Sequence, residues 1–203
     1  MPLIAPRQNL VARMKNAGYS FPLNPAVRSM AAPAMNIFET DRLALRCFTA
    51  DDAAFIVELV NDPAWLQFIG DRGVRTLDDA RAYITNGPVA SYARHGFGLY
   101  RVSRASDGVA LGMCGLLKRE YLDDVDLGFA FLPQFGGQGY AREAATATLA
   151  HARGTLGLKR IAAITDPQNI RSIHLLEKLG FRFDKMIRVK PDQPESSLFV
   201  SEG

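Results

Sequence analysis

The chain has 203 residues, 48% of them hydrophobic and 22% charged, a balance that suits one globular domain with a sizeable core and excludes collagen-like, coiled-coil and wholly disordered chains. Twenty-four Lys and Arg against twenty-one Asp and Glu leave a net charge of +3, far short of a protein that coats nucleic acid, although a small polyanionic ligand remains compatible with it. The two cysteines, Cys47 and Cys114, are too few for a disulfide framework and lack zinc or redox spacing; no apolar run approaches the roughly 20 residues that span a bilayer, so we expect a reducing, cytoplasmic setting and no membrane partner.

Residues 1–35 contain Arg7, Arg13, Lys15 and Arg28, and the first acid of the chain is Glu39. The remainder carries twenty bases against twenty-one acids, so the positive balance belongs to this segment. Its prolines and missing periodicity predict an irregular basic extension ahead of a single domain over 36–203. An acid-free basic start is also how transit peptides look, whereas the apolar stretch of a signal peptide is absent.

From about Asn36 the pattern becomes regular. Residues 42–48 alternate as a half-buried strand does, and Thr49 to Asp52 supply a cap for a helix over 53–60. Thr76 and Asp79 form a capping arrangement ahead of a helical stretch over 77–93, interrupted near Gly87-Pro88. Residues 99–104, 110–118 and 125–132 read as strands, joined by turns at Asp107-Gly108 and Leu122-Asp123-Asp124. A glycine-rich break then leads into a helix ending at Gly154 and Gly157. Residues 160–165 read as a strand, 169–179 as a helix closed by Gly180, 181–188 as a strand, and 197–201 as a last edge strand. Hairpins followed by alternating helix and strand indicate a mixed α/β sheet.

The most informative segment is Gly136-Gly137-Gln138-Gly139-Tyr140-Ala141, which joins a strand end to a helix start. The first turn of a helix leaves amide N–H groups unpartnered and carries partial positive charge, so phosphate oxygens are favoured there. The turn is neither a Walker loop nor a dinucleotide fingerprint, and glycine serves tight turns without any ligand as well. It does not stand alone. Glu39-Thr-Asp-Arg-Leu-Ala-Leu-Arg46, Asp126-Leu-Gly-Phe129, Leu132-Pro133, Gly137 to Ala141 with Glu143-Ala144, and Asn169-x-x-Ser172 through Leu179-Gly180-Phe181 together resemble the GNAT superfamily of acetyl-coenzyme A-dependent N-acetyltransferases. More narrowly they resemble its ribosomal-protein N-terminal acetyltransferase branch.

The resemblance implies a central, mostly antiparallel twisted sheet with a splayed strand pair and flanking helices. It implies that the strand bearing Phe129, Phe131 and Leu132 diverges from residues 160–165 and binds the pantetheine arm of acetyl-CoA through free backbone groups. The amides of Gly137, Gln138, Gly139, Tyr140 and Ala141 would hold the pyrophosphate, with Arg142 or Lys159 near the 3′-phosphate, and Asn169 and Ser172 would meet the arm and its sulfur. Two positions depart from the family: Gly136 stands where Arg, Gln or Trp is usual, and Leu176 stands where a Tyr commonly protonates the leaving thiolate.

Acetyl transfer to an amine needs a neutral nucleophile, a polarised carbonyl and a stabilised thiolate, without a covalent intermediate. Asp126 is the candidate base, with a solvent-facing strand charge as the equal alternative; Glu120 and Asp124 rank below it. A backbone N–H near Phe131 would polarise the carbonyl, and Ser172 is the hydroxyl one turn after Asn169, itself also a natural helix N-cap. Cys47 and Cys114 read as packing, and His95, His151 and His174 lack metal-ligand spacing, so no metal is expected. Trp65 and Phe68 suit either an acceptor pocket or the core, and Asp62 and Asp71 weakly suit a cationic amine. The leading expectation is acetyl transfer to a protein N-terminus or small-molecule amine by a monomer or homodimer. A catalytically silent acyl-CoA sensor is the alternative, and nucleic-acid binding through the basic extension ranks last.

Overall fold

The computed structural model describes residues 36–189 and 194–203; the expected basic extension over 1–35 lies outside them. Eight strands form one sheet, in the order β1-β2-β3-β4-β5-β6-β8-β7. They are β1 (Asn36–Glu39), β2 (Leu43–Arg46), β3 (Leu99–Arg104), β4 (Ala110–Leu117), β5 (Val125–Phe131), β6 (Arg160–Thr165), β7 (Arg182–Ile187) and β8 (Ser196–Glu202). Every neighbouring pair is antiparallel except β5 and β6.

The helices cover both faces. α1 (Ala53–Val60), α2 (Pro63–Phe68), α3 (Leu77–Ile84) and α4 (Ala90–His95) lie between β2 and β3, α5 (Tyr140–Gly154) follows β5, and α6 (Ile170–Lys178) follows β6. One core gathers Leu45, Val102, Leu116, Leu127 and Ile161 against Ala144, Leu149 and Ala152 of α5 and Leu176 of α6. The other joins Ile56, Leu59, Trp65, Ala80 and Ile84 to Met113 and Leu132. α5 repeats small side chains, Ala144, Ala145, Thr148 and Ala152, on its buried face, so its backbone lies close to the sheet. There the Thr148 hydroxyl meets the Cys114 sulfur at 3.5 Å.

Local chemistry explains most boundaries. The Asp52 carboxylate accepts the Thr49 N–H at 2.9 Å and a forked pair of bonds from Arg46 at 2.8 and 2.6 Å, which fixes the entry to α1. Thr76 and Asp79 form the expected capping box of α3. The stretch expected over 77–93 is broken by a π-helical turn at Thr85–Val89 that carries Pro88, whose ring has no N–H to give and crowds the preceding turn.

One expectation needs correction, and two short elements are added to the sequence reading. β1 and α2 carry too few residues for a period to show, and neither was foreseen. The strand at 197–201 is not an edge: β8 lies between β6 and β7, pairing with both. Its Leu198, Phe199 and Val200 form the continuous apolar run of a strand covered on both faces. The edge is β7, exposed from Arg182 to Met186. Leu116→Ala, which empties a fully buried site beneath α5, should cost about 2–5 kcal/mol in denaturant unfolding.

Candidate active site

β5 and β6 stay paired for only two residues, Val125 with Ile161 and Asp126 with Ala162. Beyond Asp126 they part, while β5 continues with β4 as far as Phe131 and β6 continues with β8 to Thr165. A V-shaped opening results, and the β5 edge from Leu127 onward presents backbone groups toward it without a β6 partner. This is the splayed pair that the resemblance implies.

The wide end of the V leads to the glycine turn. Leu132 is buried, with its N–H donated to the Leu111 carbonyl at 2.9 Å, and a short 3-10 turn at Pro133–Phe135 follows. Gly137 and Gly139 adopt φ of +73° and +82°, conformations that favour glycine. A Cβ on Gly137 would meet nothing within 4 Å, and one on Gly139 would meet only the Arg42 guanidinium at 3.4 Å. The turn is therefore open above its backbone, and Gly139 is the N-cap of the 15-residue α5, whose first amides have no intrahelical partner and no side-chain cap. Gln138 and Arg142 are exposed, whereas the Tyr140 ring is buried. Unpartnered N–H groups, a helix N-terminus and free space together suit a diphosphate.

The remaining expected site residues are spread along the V. Phe129 and Phe131 pack partly buried on the α5 side of β5. Asn169 caps α6, its Oδ1 accepting the Ser172 N–H at 3.1 Å; both stand just beyond the C-terminal end of β6, at the wide end of the V. Leu176 is 1% exposed and belongs to the core, so an apolar packing demand occupies the position where the family often has Tyr.

Asp126 stands at the narrow end, six residues or about 20 Å of strand from Leu132. It is 1% exposed, and Arg119 Nε donates to both carboxylate oxygens at 3.0 Å. The alternative of a solvent-facing strand charge is thereby removed. Burial pushes the Asp126 carboxyl up from its ordinary value, and Arg119 opposes that shift. Arg119 also bonds the Tyr121 hydroxyl at 3.0 Å and borders a cleft of about 470 Å³ with Arg94, His95, Lys118, Glu120, Leu122 and Asp123. Asp124 is ion-paired with Arg160 at 2.9 Å, and Glu120 is exposed.

Other candidates are accounted for locally. Trp65 is core, its indole N–H bonded to the Gly70 carbonyl at 3.1 Å, and Phe68 is half-buried. Asp62 caps α2 through the Ala64 N–H, and Asp71 pairs with Arg75, so each carboxylate has a local structural partner. His95 and His174 are exposed, and His151 stacks on Phe38. No group of side chains suited to a metal ion occurs among the described residues, nor is any helix there long and apolar enough to cross a membrane.

Residues 42–182 match the family described as the acetyltransferase (GNAT) domain. The chain belongs to the GNAT acetyltransferase family. It is 30% identical over 152 residues to the uncharacterized protein YkkB of Bacillus subtilis, covering 73% of this chain and 87% of that one. A GNAT-family acetyltransferase from Bacillus anthracis superposes with a TM-score of 0.68 at 24% identity, over 81% of this chain and 96% of its own. RimL, a ribosomal L7/L12 α-N-protein acetyltransferase solved with coenzyme A, superposes with a TM-score of 0.71 at 16% identity, over 83% of this chain and 98% of its own. These likenesses establish the shared mixed α/β fold.

Two arginines beside the expected site residues carry no signal in the sequence. Arg119 was overlooked because only the hairpin folds it back onto Asp126. Arg42 lies in the Glu39–Arg46 motif, and its partners Gln138 and Glu143 are about a hundred residues away in sequence. The two thiols behave as packing groups: burial pushes Cys47 up to about 11 and Cys114 up to about 12. Both should therefore stay protonated, and iodoacetamide at mildly alkaline pH should label neither in the folded protein by intact mass, with both labelled after denaturation.

Proposed function

We propose that the protein transfers the acetyl group of acetyl-CoA to a primary amine, a protein N-terminus or a small-molecule amine, by direct attack within a ternary complex. The observation that carries this reading is the run, along one strand, from a parted β5–β6 edge to an open glycine turn at a helix N-terminus. The peptide-like pantetheine arm offers amides that complement free strand groups. Phe129, Phe131, Leu132 and Asn169 would flank it, and the amides of Gly137, Gln138, Gly139, Tyr140 and Ala141 would take the pyrophosphate, with Arg142 nearby. A backbone N–H near Phe131 would polarise the thioester carbonyl, and the Ser172 hydroxyl would give a proton to the departing thiolate.

Asp126 lies five residues, about 17 Å of strand, from Phe131, so it would accept the ammonium proton through a chain of waters along the wedge, and the cleft beside Arg119 would admit the acceptor. Burial raises the Asp126 pKa above its ordinary value against the opposing Arg119, which suits the carboxylate to this work. A reducing, cytoplasmic setting fits the two unpaired thiols, Cys47 and Cys114. One observation favours the second reading, a silent acyl-CoA-binding sensor: Leu176 leaves no phenolic proton donor on that face of α6.

Thiol release from acetyl-CoA across a panel of peptide N-termini, polyamines and amino sugars separates the two readings. The enzyme releases CoA with at least one amine; tight binding of acetyl-CoA without any turnover supports the sensor. With an acceptor in hand, Asp126→Asn should lower kcat by about 10²–10⁴. In the wild type a base with a raised pKa makes the rate fall as pH drops through a value above the ordinary carboxylate range, and the variant should lack that limb. Gly139→Val forces a β-branched residue to positive φ at a cost of roughly 1–2 kcal/mol, and it should weaken CoA binding in calorimetry while the melting curve stays cooperative.

A further inference from the structure

We infer that Arg42 is a positioning residue for the phosphate-binding turn, acting through the carbonyl of Gln138; this rests on the acetyl-CoA reading above. Arg42 Nη1 donates to the Gln138 carbonyl at 3.1 Å. Its Nε and Nη2 donate to Glu143 Oε2 at 2.7 and 2.6 Å, and its guanidinium lies over the Tyr140 ring at 4.7 Å. The second Glu143 oxygen accepts from the Thr40 hydroxyl at 2.5 Å and from the Arg42 backbone N–H at 3.2 Å. The turn between β1 and β2 is thus stapled to the first turn of α5 across about a hundred residues of chain.

The consequence for the ligand follows from the peptide bond. In a trans peptide the C=O and the N–H point to opposite sides. Holding the Gln138 carbonyl against Arg42 therefore aims the Gly139 N–H the other way, away from Arg42. Gly137 and Gly139 have little conformational preference of their own, so this peptide plane needs an external restraint to keep its donor in one orientation. Glu143 neutralises Arg42, so the pair supplies orientation with little net field. It also keeps the Glu143 carboxylate, in the first turn of α5, from standing uncompensated beside a phosphate. Thr40 and Arg42 of the opening motif thereby have a purpose distinct from that of Arg46, which serves Asp52.

The test is calorimetric titration of CoA into the full chain, comparing wild type, Arg42→Ala, Arg42→Lys, Glu143→Ala and the Arg42→Ala/Glu143→Ala double variant, with melting temperature as the fold control. Lys keeps the charge and the methylene stem but cannot span Gln138 and Glu143 together, so it carries the test if the Ala variant folds poorly. Loss of preorganisation should weaken CoA about tenfold in both Arg42 variants and several-fold in Glu143→Ala, with the double variant no worse than Arg42→Ala alone. The losses should persist at high salt, and the KM for acetyl-CoA should rise while kcat stays within about twofold. Wild-type affinity in the Arg42 variants overturns the inference. So does Glu143→Ala binding as tightly as or tighter than wild type together with a loss in Arg42→Ala that fades in salt, because Arg42 is then a direct phosphate ligand. A wild-type protein that fails to bind CoA overturns the acetyl-CoA reading itself.

Discussion

The feature on which the rest depends is the early end of pairing between β5 and β6. A parallel pair that parts after two residues would ordinarily leave two frayed edges. Here each strand is held elsewhere: β5 by β4 through Phe131, β6 by β8 along its whole length. The opening is therefore a rigid wedge between two antiparallel sub-sheets joined at Val125 and Asp126. α5 packs its small residues on β4 and β5 and shares one core with Leu116 and Ile161. Free backbone groups persist in the wedge because the side chains around them are already committed.

Charge is deployed in a way that matches this. The described domain has almost no net excess of either sign, and most of its arginines are engaged in holding structure. Arg46 and Arg101 converge on Asp52, Arg119 covers Asp126, Arg160 joins Asp124 to Glu202, and Arg42 binds Glu143. A phosphate arriving at the glycine turn would meet oriented amides more than free cations. The positive balance of the chain resides in residues 1–35, so it says little about the site.

The two ends of the wedge differ in the physics they offer. At the wide end, open space above positive-φ glycines and the N-terminus of a helix favour a charged, solvated group. At the narrow end, burial raises a carboxylate pKa, and an arginine that lines the neighbouring cleft moderates that shift.

Helix caps, hairpin turns and the glycine break were legible in the residues themselves because each is specified within a few positions: Thr76 with Asp79, Asp107 with Gly108, Gly139 ahead of Tyr140. The strands over 99–104, 110–117 and 125–131 announced themselves by their period, and the short β1 and α2 did not because four and six residues carry no period to read. Strand order was not legible, since the insertion of β8 between β6 and β7 depends on the path of the chain after α6; the apolar run Leu198-Phe199-Val200 marks a covered strand without specifying its neighbours. The burial of Asp126 under Arg119, the engagement of Arg42 with Gln138 and Glu143, and the disappearance of Leu176 into the core likewise arise only when distant segments meet. Local hydrogen bonding and alternation are written over a handful of adjacent residues. Which carboxylate is dry, which arginine is spent and where the sheet opens are properties of the assembled packing.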